Sequence, residues 1–302
     1  MKNLLILSLL HAAWLVSAQA QIIWNYDFGT ETGTFNTSGT NSTSFLPEPP
    51  TDGGSARVRV GAGGGSFSLI NPGSGSYLQG RAPTGTGFAK FSISDFTPAT
   101  SAFSLAFDIT FSGGASGTWN FFTGNGTSFS DNGAFAGTET FTGLRWVFGA
   151  NGTITTSNRV GGTWASFTDF VFTQDENYQV LVYGNNGITP VSYGENVLAA
   201  DTFDLWVGGT KVASGLASSN LTADRPIDSF MFYGQSSSGN VATVDIRNLS
   251  YANHAVPEPS TTAALVVGSL ALAALSACRR RKCESKRRGG QGACQHHKIA
   301  MG

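Results

Sequence analysis

The sequence predicts an all-β protein, a two-sheet jelly-roll β-sandwich spanning residues 21–254, and three observations carry this reading. No stretch between Ile22 and Tyr251 has helical periodicity. Apolar residues alternate with small or polar ones, as in strands buried on one face. Gly, Asn, Ser and Thr interrupt the chain about every 8 to 12 residues, the spacing of short strands and turns.

Taken in order, the strands are expected at Ile22–Phe28, Ala56–Val60, Ser66–Ile70, Gly87–Ile93, Ala102–Phe111 and Thr118–Phe122. Further strands are expected at Phe141–Phe148, Thr153–Ser157, Phe167–Phe172, Tyr178–Tyr183, Thr202–Val207, Ser229–Tyr233 and Val241–Leu249. Within Ala102–Phe111, Phe103, Leu105, Phe107, Ile109 and Phe111 alternate with small or polar residues, so one face is buried and the other wet. The Thr-, Ser-, Gly- and Pro-rich stretch 30–54 reads as a long loop. Asn125-Gly126, Asn132-Gly133, Asn151-Gly152 and Asn186-Gly187 suit tight turns with positive φ. Asn151-Gly152, lying between Trp146-Val147-Phe148 and Thr153-Ile154-Thr155, predicts a hairpin.

The two ends read as targeting segments. Lys2, the apolar run Leu4–Val16 and Ala18-Gln19-Ala20 form a secretory signal, with cleavage expected after Ala20. Near the other end, Val256, Pro257, Glu258, Pro259 and Ser260 precede an uncharged apolar run, Thr261 to Ala277. That run is expected to be one transmembrane helix, at the short end of the spanning range. Arg279, Arg280, Arg281 and Lys282 form a basic stop that places the tail inside and the bulk of the chain outside. Pro257 and Pro259 disfavour helix in the residues before them, so the motif is expected to stay extended and accessible.

These three parts in register resemble the PEP-CTERM sorting signal of Gram-negative bacteria. The resemblance implies recognition by a membrane-embedded exosortase after export by the Sec machinery and signal peptidase. It further implies transient anchoring in the inner membrane, removal of the tail, and a final place at the cell surface, outer envelope or extracellular matrix, among exopolysaccharide. The expected map is a signal peptide at 1–20, an ectodomain at 21–254, a sorting signal at 255–282 and a basic cytoplasmic tail at 283–302. That tail departs from the family, whose members usually end soon after the arginines. Its Cys283, Cys294, His296 and His297 lack the paired spacing of a zinc site.

The ectodomain also resembles concanavalin A-like (laminin-G-like) sandwiches. Phe203-Asp204-Leu205-Trp206-Val207-Gly208-Gly209 is similar to a back-strand phrase of those folds, and Val244-Asp245-Ile246-Arg247-Asn248-Leu249 to their closing strand.

Composition limits the chemistry. Residues 21–254 hold 17 acidic against 9 basic residues, a net charge of −8 that the basic tail masks in the whole-chain value of −1. An acidic ectodomain argues against nucleic acid as a partner. It has no cysteine, and its one histidine, His254, lies in the linker, which excludes His-dependent nucleophilic triads and His-based catalytic zinc sites within the fold. Glu31, Glu48, Glu139, Glu176 and Glu195 are isolated and do not form the paired carboxylates of a glycosidase. Asp131, Asp224, Asp228 and Asp245, at loops or strand ends, are the candidate ligands for calcium. Trp119 and Trp164, beside Gly-rich loops, are the candidate glycan-binding platforms, with packing between the sheets as the competing role. The expected function is that of a non-enzymatic surface or matrix protein, structural or binding glycan or protein. The alternative is a polysaccharide-acting hydrolase or lyase on the same fold.

Overall fold

Alternating strands bury one face each, and the computed structural model stacks two antiparallel sheets on those faces. It describes residues 23–254 except 132, 134 and 236–240. The expected signal peptide, sorting signal, transmembrane helix and tail lie outside the described residues. Among the described residues no helix is long and apolar enough to cross a membrane.

The first sheet runs β17 (Thr210–Ala217), β16 (Thr202–Val207), β13 (Asn177–Asn185), β8 (Ala102–Ser112), β19 (Thr243–Ala252), β6 (Tyr77–Arg81), β5 (Ser66–Ile70), β2 (Gly33–Phe35). β1 (Ile23–Tyr26) pairs with β19 off this path. The second sheet runs β12 (Thr163–Thr173), β11 (Thr153–Val160), β10 (Thr140–Phe148), β9 (Thr118–Gly124), β18 (Ser229–Gln235), β7 (Phe88–Ser94), β4 (Ser55–Val60), β3 (Thr40–Ser42). The chain passes between the sheets from β8 to β9 and from β18 to β19, so sequence neighbours face each other across the core, as in a jelly roll. A hairpin, β14 (Val191–Tyr193) with β15 (Asn196–Leu198), lies on the outer side of the first sheet.

Aromatic rings fill the core. Phe107 of β8 sits 4.9 Å from Phe121 of β9 and 5.0 Å from Phe232 of β18, and Phe111 sits 5.1 Å from Trp146. The expected inward set of β8, from Phe103 to Phe111, is fully buried. β19 keeps two parities inward, Val244 and Ile246 and then Leu249 and Tyr251, because its register shifts between Arg247 and Ser250. Asn248, with φ 50°, takes up that bulge.

Each of the thirteen expected strands has a counterpart. Several other elements were not expected. The 30–54 stretch is not wholly loop, because β2 and β3 are three-residue edge strands within it. β6 contains Gly80, which weakens a strand pattern, yet a Cβ there would come within 2.6 Å of the Trp119 indole. β17 is an edge strand with little burial, so it lacks alternation. The Asn151-Gly152 hairpin forms as expected, with φ of 63° and 75°. Asn186-Gly187 is different, since neither residue has positive φ. Asn186 is buried and donates to the carbonyls of Thr222 and Arg225 at 2.9 and 2.7 Å.

Candidate functional site

Because side chains alternate along strands, the residues between the core positions of the second sheet share its outer face. Pairing registers place Arg59, Lys90, Tyr233, Asn120, Arg145 and Ser157 in one row across six adjacent strands. In the row beside it, Arg57 pairs with Ser92 at one side and Arg159 with Trp164 at the other. Five of the nine basic residues of the acidic 21–254 region thus occupy one sheet face.

A loop covers the middle of this face. The described residues of the 125–139 segment, including the short helix α1 (Thr127–Ser130), lay Phe129 and Phe135 over Phe122, Met231 and Tyr233. Phe135 stacks on Phe122 with centroids 4.4 Å apart. Lys90, fully buried, fastens the loop by donating to the carbonyls of Ser128, Asp131 and Gly133 at 2.8, 2.6 and 3.2 Å. Burial lowers its ammonium pKa to about 8, with Asp131 opposing the shift and Arg57 and Arg59 adding to it. Glu139 clamps the loop from within by accepting from the backbone N–H and hydroxyl of Ser128. Partial burial raises the Glu139 pKa, but hydrogen bonds from Ser128 and Thr127 outweigh it and hold the carboxyl below its ordinary value. The Tyr233 phenol is raised to about 12 by burial and stays protonated.

On either side of the loop the guanidinium groups remain part-exposed. Arg145 lies over the Trp164 ring at 3.9 Å, and Arg159 lies 5.5 Å from the same ring. Gly143 leaves room for this, because a Cβ there would come within 2.6 Å of the Arg159 Cβ. Asn120 orients Arg145 by accepting from its Nε at 3.3 Å, while donating to the Tyr233 carbonyl at 3.0 Å. Burial and the neighbouring Arg159 charge lower the Arg145 pKa. Among the described residues none of Arg57, Arg59, Arg145 and Arg159 forms an ion pair. The Nε atoms of Arg57, Arg59 and Arg159 are buried without an acceptor.

The two tryptophans expected as platforms have separate fates. Trp119 is fully buried between the sheets, and its Nε1 donates to the Ala242 carbonyl at 3.0 Å. It fills the packing role, with Gly80 and Gly234 making room for the indole, so it offers no surface to a ligand. Trp164 is half-buried on the outer face, with Arg145 occupying one side of its ring. The sequence reading did not find the arginines that join Trp164. The available signal was their placement at outward positions of predicted strands, as in Arg57-Val58-Arg59-Val60. Their convergence depends on strand order.

The candidate calcium residues do not come together. Among the described residues no three His, Cys, Asp or Glu side chains form a metal-sized group. Asp245 accepts from Gln79 at 3.0 Å and pairs with Arg247 at 3.4 Å. Asp228 accepts from Asn125 at 2.9 Å and from Ser229 at 2.7 Å. Asp224 sits in a turn with φ 64°, and the Asp131 carbonyl accepts from Lys90. The Asp204 of the back-strand phrase serves a buried network instead: it accepts from the Tyr193 hydroxyl and the Gly215 N–H and pairs with Lys211 at 3.5 Å. Trp206 Nε1 donates to Tyr193 at 3.2 Å, which fixes the β14–β15 hairpin to the first sheet.

No protein-family model matches the chain, and no curated protein does. Solved structures are similar in fold. One is of botulinum neurotoxin type C, whose cell entry is described as dependent on two ganglioside molecules, at 9% identity and TM-score 0.41 over 78% of this chain and 48% of that one. Another is a PL-14 alginate lyase from Aplysia kurodai, at 13% identity and TM-score 0.41 over 61% of this chain and 86% of that one. A third is the sialidase of Trypanosoma rangeli, at 12% identity and TM-score 0.39 over 80% of this chain and 31% of that one. The chain spans about half the length of the neurotoxin chain. These likenesses concern the fold alone.

Proposed function

We propose that this protein is an exported, surface-sorted β-sandwich that binds glycan without transforming it, using the outer face of its eight-stranded sheet. The observation that carries this reading is the gathering, on one sheet face beside the loop, of a half-buried tryptophan and four arginines that form no ion pair among the described residues. Guanidinium groups backed by an aromatic ring are suited to directional hydrogen bonding with a polar polymer. The secretory and PEP-CTERM-like segments at the two ends support the route: Sec export, signal peptidase, exosortase, then the cell surface or matrix with exopolysaccharide. Tyr233 lies buried and protonated beneath the loop, which withdraws it from the part of a general base.

Retention of the purified protein on a panel of immobilised polysaccharides tests the binding claim. The expected result is retention on at least one glycan whose chain length stays constant during incubation. Shortening of the polymer would overturn the non-enzymatic part. Mass spectrometry of surface fractions is expected to find a protein starting at Gln21 and lacking the segment after about Ser260.

A further inference from the structure

We infer that Arg145 and Arg159 form an anion fork for the carboxylate or sulfate groups of an acidic polysaccharide, with Trp164 as the plate that holds both guanidinium groups. This rests on the reading of the face as a glycan-binding surface, and it adds the charge class of the ligand and the residues that select it.

Two like charges sharing one indole repel each other, and among the described residues no carboxylate pairs with either. Arg145 uses Nε on Asn120, and among the described residues neither of its terminal nitrogens has an acceptor. Arg159 has no acceptor at any nitrogen among the described residues, and its Nε is buried. The buried Nε of Arg159 is out of a ligand's reach, so the fork is made of the terminal nitrogens of the two part-exposed guanidinium groups. A guanidinium matches an oxyanion with two parallel hydrogen bonds, and pre-orientation by Asn120 and Trp164 lowers the entropy lost on binding. Arg57 and Arg59 form a second positive patch on the far side of the loop, with their Nε atoms equally without acceptors. Two basic patches on one open face of an otherwise acidic domain favour a repeating polyanion over a single small anion.

The test uses the full chain and four polymers: polygalacturonate, dextran sulfate, unmodified dextran and polyphosphate. Affinity is measured against salt concentration for the native protein and for Arg145→Gln, Arg159→Gln and Arg247→Gln. Arg247 serves as the control because it stacks on Tyr77 and belongs to the first sheet. The expected result is binding to polygalacturonate or dextran sulfate at least about tenfold tighter than to dextran, weakening with salt. Arg145→Gln and Arg159→Gln are each expected to weaken it about tenfold, while Arg247→Gln leaves it unchanged. Arg159→Gln guards against a folding artefact, because that side chain makes no hydrogen bond among the described residues and a thermal midpoint close to the native one shows that its contacts with Phe135 and Trp164 are dispensable for the fold. Equal affinity for dextran would overturn the anion fork and leave the glycan reading standing. Retention of no glycan would overturn both. Polyphosphate bound as tightly as the acidic glycans, or binding indifferent to both substitutions, would also overturn the fork.

Discussion

The Lys90 ammonium lies 2.8 Å from the carbonyl oxygen of Ser128, buried beneath the loop it holds. That bond and its two companions to Asp131 and Gly133 fasten 125–139 to the second sheet. Lys90→Met would fill the volume but leave three carbonyls without this donor. Each buried group left unpaired costs about 1–3 kcal/mol. The expected outcome is a lower thermal midpoint and faster amide exchange at Phe129 and Asp131, with exchange in β8 changed less.

The indole of Trp119 fits against glycines on two strands. A Cβ at Gly234 would come within 2.8 Å of its Cζ2, and one at Gly80 within 2.6 Å of its Cη2. Gly234→Ala is expected to destabilise the sandwich by about 1–3 kcal/mol through overpacking. Trp119→Ala should cost more, about 3–5 kcal/mol, because it opens a cavity between the sheets and strips the Ala242 carbonyl of its donor. Chemical denaturation of the two variants checks the order.

The Tyr193 hydroxyl joins Asp204 to Trp206 on the outer side of the first sheet. Tyr193→Phe removes one donor from a carboxylate that is 1% exposed and leaves it Lys211 and the Gly215 N–H. A loss of about 1–3 kcal/mol is expected, together with exchange of the β14–β15 amides well before the rest of the sheet.

Alkaline pH pulls in two directions. Burial lowers Lys90 from 10.5 to about 8, so between those values the unfolded chain binds more protons and stability rises with pH. Burial raises Tyr26, Tyr193, Tyr233 and Tyr251 above the ordinary phenol value of 10.0, Tyr233 to about 12. The stability they contribute is whole below pH 10 and is lost as pH rises through their folded values. Thermal midpoints are therefore expected to hold or rise toward pH 10 and then fall steeply, with tyrosinate absorbance appearing at the unfolding transition. Lys90→Met should remove the rise and keep the fall.

Strand existence was legible where alternation was strong, as in β8, because burial of one face imposes a period of two on the residues themselves. It was not legible in β2, β3 and β17, whose pairing is supplied by a neighbour's backbone while their own side chains bury little. β6 was hidden because Gly80 breaks its pattern to admit Trp119, a residue 39 positions later in the chain. The bulge at Asn248 was equally hidden, since two inward parities in one strand read as continuous apolar sequence.

By itself the sequence determined the class of fold and the acidic, cysteine-free character of residues 21–254. Those are local properties of composition and periodicity. Tertiary structure alone decided which tryptophan is buried, since Trp119 and Trp164 both stand beside Gly-rich segments and differ only in the face their strands present. It alone brought Arg145, Arg159 and Trp164 together. Cross-strand proximity is fixed by which strands pair and in what register, and that follows from summed burial over the whole sandwich, not from any one stretch of chain.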